Sequence, residues 1–330
     1  MTGPRQLLFY ETAPQRRFGG IMKTSVRTLL MACAAMVLFV MVANAGGETS
    51  GAAASRMSRG QAVILGIVEG LTEYLPISST GHLYLTQRLM GMGEIGPEKE
   101  ASDAYAICIQ VGAILAVFWL YFGRVRAMAM GLLGRDAEGR RMALNLIAAF
   151  LPAVVIGVAL EKPIKSFLFG MWPITAAWFV GGVAILIVAV KHKDTGQGRS
   201  LADLTWRQSL LIGVAQCLAM WPGTSRSLVT IIGGVVIGLS VPAAVEFSFL
   251  LGLVTLSAAT AYEGLKQGGQ IVATFGIVNP LIGVAMAFVS AVFAVKLMVS
   301  FLNRNALAWF GAYRVILAAA VGAALLLGKL

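Results

Sequence analysis

The stretch EGLTEYLPISSTGHL, residues 69–83, sets two glutamates, three hydroxyl side chains and a histidine inside an otherwise apolar chain. Glu69 and Glu73 are four residues apart, so they share one face of a helix. At bilayer depth an aspartate costs about 2.5–3.5 kcal/mol on insertion scales. Two carboxylates on one face therefore require a cation between them, unless they sit at an aqueous rim. A guanidinium would serve, and so would a hard divalent ion such as Mg²⁺ or Ca²⁺, which takes oxygen ligands. Ser78, Ser79 and Thr80 follow Pro76 and precede Gly81. An isolated hydroxyl in a membrane helix usually just bonds a backbone carbonyl. Three in succession at a helix start can instead hold phosphate oxygens beside the free amides, and a serine there can attack phosphorus. His82 follows, and a neutral imidazole passes protons near physiological pH.

A second polar cluster, PGTSRS at residues 222–227, contributes Thr224, Ser225, Arg226 and Ser227. The planar fork of Arg226 suits phosphate oxygens; snorkelling to lipid headgroups is the alternative. Together the clusters can bind a metal-chelated diphosphate, stabilise its charge and supply a nucleophile. Glu246, in VEFSFLL, is a further acid that could support this site or pair with a basic group. His192 lies in a basic loop and carries no expected role. Cys33, Cys108 and Cys217 have no zinc spacing and read as free, structural thiols.

The elements that must position these residues follow from composition. The 330-residue chain is 58% hydrophobic and only 12% charged, with a mean hydropathy of +0.81. Soluble domains carry about 25% charged residues. Apolar stretches near 104–122, 142–160, 172–190, 242–262, 276–300 and 309–328 are each long enough to cross about 30 Å of hydrocarbon. This predicts an all-α polytopic membrane protein with six transmembrane helices. The net charge of +11 is then loop charge that sets orientation. No basic run with interleaved aromatics points to nucleic acid. Loops 123–141 and 191–207 are rich in arginine and lysine and belong in the cytoplasm, whereas 90–103 is acidic and belongs outside. Lys23 and Arg27, an apolar core from Leu29 to Val42, and Ala43-Asn44-Ala45 form the pattern of a signal peptide. Residues 1–45 are thus read as a leader and signal peptide, 46–57 as a short linker and 58–330 as a single integral membrane domain.

Segments 61–89 and 208–239 enter the bilayer yet are broken midway by proline and a polar cluster. Treated as full spans they set the later loops against their charge, so each is expected to be a re-entrant hairpin, tolerated where backbone is buried in protein. The two segments also resemble each other. Gly66 matches Gly213, Glu69 matches Gln216, Leu71 matches Leu218 and Tyr74 matches Trp221; a one-residue gap then pairs Pro76 with Pro222. Each hairpin precedes three spans, which predicts an inverted-topology repeat with halves of about 58–190 and 208–328. In such folds the sites lie near the midplane, where the halves meet. The same architecture is that of secondary transporters, so a transporter or lipid flippase is the alternative reading.

EGLTEYLPISSTGHL and PGTSRS, with QVGAILAV (110–117) and EFSFLL (246–251), resemble the undecaprenyl-diphosphate phosphatase family, known also for bacitracin resistance. The similarity covers roughly residues 58–330. It implies a bacterial inner-membrane enzyme that hydrolyses undecaprenyl diphosphate to the monophosphate, recycling the lipid carrier for peptidoglycan. It also implies a divalent cation, a site open to the periplasm, and membrane lipids as neighbours; a homodimer stays open. Carried over by motif position, the acidic pair is Glu69 and Glu73, with Ser79, His82 and Arg226 as the other functional groups. Glu69 and Glu73 are then the metal ligands, and Ser78, Thr80, Thr224, Ser225 and Ser227 line the substrate. Two departures stand out. Leu228 occupies a position that is usually glycine, and GLV follows EFSFLL where a proline is expected.

Overall fold

The computed structural model describes residues 57–92, 97–191, 198–300 and 304–330. The expected signal peptide, nearly all of the linker, and His192 lie outside the described residues. Among the described residues the protein is helical throughout, apart from one isolated bridge between Arg199 and Leu239.

In chain order the helices are α1 (Arg59–Thr72), α2 (Ser79–Leu89), α3 (Pro97–Leu120), α4 (Phe122–Leu132), α5 (Ala137–Phe167) and α6 (Met171–Lys191), followed by α7 (Trp206–Gln216), α8 (Arg226–Val236), α9 (Val241–Phe275), α10 (Val278–Ser300) and α11 (Arg304–Leu326). Six of them contain stretches long and apolar enough to span a bilayer: Ser102–Leu120, Ala137–Leu160, Met171–Lys191, Val241–Lys266, Val278–Ser300 and Leu307–Leu326. The protein is an all-α polytopic membrane protein, and its spans fall within a few residues of those expected. Large apolar side chains such as Trp119, Val158, Phe293 and Ile316 are exposed, as they must be where the outer solvent is lipid.

The other helices are short. At 1.5 Å per residue, α1 is about 21 Å long and α2 and α8 about 16 Å, well under the hydrocarbon thickness. Helix α4 was not anticipated, because its sequence lies inside the basic loop. It folds back on α5 through Gly131 and Gly139, where a Cβ would overlap the facing backbone.

Short helices are held by close backbone contact with long ones. Helix α1 packs along α10, with Gly66 and Gly70 against the backbone of Gly283 and Ala287. Helix α7 packs along α5, with Gly213 against the backbone of Ala149. Small residues that let backbones approach are the usual adhesive in lipid, which supplies no hydrophobic drive between helices. Helix α11 packs on α6, and α3 runs between α10 and α9. The polar turns after α1 and α7 are thereby brought inside the bundle. Glu246 is settled as a structural acid, accepting from Nε of Arg124 at 2.6 Å.

Candidate active site

Each polar turn begins where a helix is forced to stop. Helix α1 ends at Thr72, Pro76 lacks an N–H, and the residue before a proline avoids helical angles. The chain then restarts as α2 from Ser78, whose φ of 75° is left-handed. The second turn restarts as α8 from Ser225, with φ of 80°. Among the described residues these are the two non-glycine positions with positive φ. Such conformations cost about 1–3 kcal/mol each and persist where the surroundings over-determine them. Both serines offset part of that cost by capping. Ser78 Oγ accepts the Gly81 amide at 3.4 Å and Ser225 Oγ the Leu228 amide at 3.3 Å.

The two serines are 147 residues apart, the same offset as Gly66 and Gly213, and Glu69 and Gln216. The correspondence therefore runs without a gap. Pro76 pairs with Gly223 rather than with Pro222, and Ser79 with Arg226.

The turns meet. Ser227 Oγ, itself 3.0 Å from Ser225 Oγ, donates to the Leu75 carbonyl at 2.8 Å. Arg226 Nη2 reaches Glu73 Oε1 at 3.1 Å, with both side chains largely buried. The other oxygen of Glu73 accepts from the Ser79 hydroxyl. Ser79, Glu73 and Arg226 thus form one chain of contacts across the two turns. Arg226 is further fixed by the Ser248 carbonyl at 2.7 Å and by the face of Tyr74, 5.4 Å from the ring centroid. Gly252 leaves the room it needs, since a Cβ there would overlap the guanidinium. Tyr74, Ser248 and Gly252 lay outside the expected site.

Helix starts leave their first amides unpaired. Among the described residues the backbone amides of Ser79 and Thr80, and of Arg226 and Ser227, have no protein acceptor. Two helix N-termini with free amides suit an anion. Thr80 is exposed and Thr224 half-buried. Gly81 lets α2 lie against Trp178, because a Cβ would run into the indole. Leu228, at the equivalent place in the second turn, is buried in the main core.

His82 stands one helical turn from Ser79, yet its nitrogens are engaged elsewhere. Nδ1 is 2.7 Å from the Ser78 carbonyl and Nε2 2.8 Å from the Tyr313 hydroxyl. A carbonyl only accepts, so Nδ1 carries the hydrogen and Nε2 accepts from the phenol. The side chain that accepts from the Ser79 hydroxyl here is Glu73, not His82.

Glu69 is fully buried beside Glu73, and neither of its oxygens has a hydrogen-bond donor. An orphaned buried carboxylate next to a second one fits a hard divalent ion. No group of three or more His, Cys, Asp or Glu gathers among the described residues. A cation here would thus take Glu69 and Glu73 and complete its shell with water and phosphate oxygens, as Mg²⁺ commonly does.

A family model described as bacitracin resistance protein BacA matches residues 62–320. The chain belongs to this family. It is 43% identical over 263 residues to an undecaprenyl-diphosphatase of Sorangium cellulosum, covering 79% of this chain and 84% of that one. An undecaprenyl-diphosphatase of Ectopseudomonas mendocina is 44% identical over 255 residues, covering 77% and 90%. Undecaprenyl-diphosphatase 3 of Acinetobacter baylyi is 40% identical over 258 residues, covering 78% and 94%.

Proposed function

We propose that this protein is a membrane phosphatase that hydrolyses undecaprenyl diphosphate to undecaprenyl phosphate and inorganic phosphate, recycling the lipid carrier of wall synthesis. The observation that carries the reading is the Ser79–Glu73–Arg226 chain between two helix starts with open amides. The names of the relatives point the same way, and the transporter reading is not favoured.

Glu73 takes the Ser79 proton as Oγ attacks the terminal phosphorus, and the bond to the bridging oxygen breaks. The lipid monophosphate leaves with that electron pair. A phosphate monoester ionises with a second pKa of about 6, so the leaving group needs no proton donor at neutral pH. This suits a site in which His82 is turned to other partners. Glu73 gives that proton up to water. A second water then attacks the phosphoserine, and Glu73 takes its proton and returns it to Ser79 Oγ as the phosphorus–Oγ bond breaks and phosphate departs. Arg226 and the amides of Ser79, Thr80 and Ser227 hold the charge that builds on the transferring oxygens. Mg²⁺ or Ca²⁺, held by Glu69 and Glu73, would neutralise the diphosphate. Ser78 and Ser225 shape the turns, Ser227 joins them, and Thr80 and Thr224 line the approach.

The short helices are read as two re-entrant hairpins of an inverted repeat in a bacterial inner membrane, with the site facing the periplasm. The charge asymmetry of the loops supports that sidedness. The test is phosphate release from a prenyl diphosphate by the purified protein in detergent, with and without chelator. Release that is lost in Ser79→Ala and Glu73→Gln supports the reading; a folded wild-type protein that releases none overturns it.

A further inference from the structure

Arg314 lies in the middle of the last span and is fully buried. Every hydrogen bond it makes among the described residues goes to a backbone carbonyl. Nη2 donates to Gly223 at 2.9 Å and to Ala177 at 2.8 Å, Nη1 to Pro76 at 3.4 Å and Nε to Trp178 at 3.3 Å. A buried charge without a carboxylate is costly unless fixed dipoles replace water around it. Two of the four dipoles come from adjacent residues of α6. The other two are Pro76 and Gly223, the equivalent residues of the two turns, each two positions before a left-handed serine. One rigid guanidinium thus touches the same point of both turns. The neighbouring residue, Tyr313, donates its hydroxyl to His82 Nε2 and stacks on that ring with centroids 5.8 Å apart. His82 in turn grips the Ser78 carbonyl.

We infer that Tyr313 and Arg314 are positioning residues that hold the two turns in register: Arg314 spans both, and Tyr313 fixes His82 onto the first. Ser79 and Arg226 sit on opposite turns, so their separation depends on this device. Arg314 reaches the turns through their backbone carbonyls, and Tyr313 reaches the first turn through His82. Lysine at 314 would keep the charge but present one nitrogen where three now serve four carbonyls.

Two measurements test the pair. The first needs no substrate. Nitroxide labels on Thr80→Cys and Val236→Cys, both exposed, report the placement of the second hairpin against the first. The distance distribution should be narrow in the parent and broaden with Arg314→Lys; an unchanged width overturns the proposal. The second rests on the phosphatase reading and uses unlabelled protein. A misplacement of about 1 Å can cost 10²-fold. Arg314→Lys should therefore lower kcat by about that factor, with KM within about twofold because ground-state binding is untouched. Tyr313→Phe is the milder change and should lower kcat by up to about tenfold, the worth of one hydrogen bond. Residues serving one device are not additive, so the double variant should be no worse than Arg314→Lys. A near-normal kcat in Arg314→Lys, or full additivity in the double variant, overturns the inference. A parent that releases no phosphate at all would instead sink the phosphatase reading and leave the distance measurement standing.

Discussion

The two turns share a backbone and differ in nearly every side chain that matters. Ser78 and Ser225 adopt the same left-handed angle, cap the same amide and open a helix of the same length. At the flanking equivalent positions the first turn has Glu69, Glu73, Ser79 and His82; the second has Gln216, Met220, Arg226 and Val229. Glu69 and Gln216 are both buried with both terminal atoms unpartnered, yet one is an ionisable acid and the other an amide. The two acids and the serine bonded to Glu73 are thus confined to one turn and the arginine to the other. The comparison teaches that backbone shape supplies the anion-binding amides on both sides, while chemistry comes from juxtaposing unlike side chains. In the proposed mechanism an attack on phosphorus needs both halves at once.

Making the first turn resemble the second should break it, and most severely at residue 73. Glu73→Met installs the residue of the equivalent position, and Glu73→Gln is its milder companion. Both remove the proton acceptor of Ser79 and should lower kcat by the 10²–10⁴-fold typical of general-base loss, about the largest single effect here. Steady-state prenyl-diphosphate hydrolysis checks this, and a folded Glu73→Gln enzyme with ordinary turnover would refute the proton transfer.

Next in size is Arg226→Lys, which keeps the charge of the second turn but loses the fork. A fall in kcat of about 10²–10³, the range for a single oxyanion donor, is expected at saturating cation. Equal turnover of the lysine variant would reduce this position to generic charge. Smaller again is Glu69→Gln, which reproduces Gln216. The cation concentration for half-maximal rate should rise by at least the roughly tenfold that loss of an outer-sphere partner costs; an unchanged titration with Mg²⁺ and Ca²⁺ would remove Glu69 from the cation site.

The smallest effect tests the shared backbone. Ser225→Ala loses the cap and keeps the strained angle, so it should destabilise by about 0.5–2 kcal/mol. Ser225→Gly tolerates the angle and should cost only a few tenths of a kcal/mol. Thermal melts in detergent compare them. Equal melting points would argue that neither the cap nor the left-handed angle matters.

Hydropathy and loop charge were enough to place the six spans, and polar clusters inside apolar sequence were enough to find both turns. The contact between Ser79 and Glu73 was not foreseeable in the same way. They are six residues apart, out of step with a helical face, and meet because the chain doubles back at Ser78. Serine gives no hint of a left-handed angle, which glycine or asparagine would have signalled. The pairing of prolines in the two segments misled the alignment for the same reason: the equivalent backbone positions hold Pro76 and Gly223, and only the angles reveal it. His82 carries a proton-transfer signature by type, but its Nδ1 is taken by the Ser78 carbonyl and its Nε2 by a phenol from a helix more than 200 residues away. Arg314 did leave a signal, being a lone arginine in an apolar span, where ionisable residues are expensive and face the bundle interior. Its partners are carbonyls, which no pattern of residue types can announce.

The crossing of each short helix onto a long one has a consequence for biosynthesis. Helix α1 finds its bed on α10, whose Gly283 is made about 200 residues after Gly66. At ribosomal rates of about 5–20 residues per second, that is a wait of roughly 10–40 s. Throughout it, Glu69 and Glu73 lack the walls that later enclose them, and a carboxylate facing lipid is among the costliest groups a membrane can hold. The first polar turn and its two short helices must therefore linger at the interface, or in the care of the insertion machinery, until the last third of the chain arrives. Chains truncated before α10 should leave that turn open to protease from the aqueous side, while full-length chains bury it.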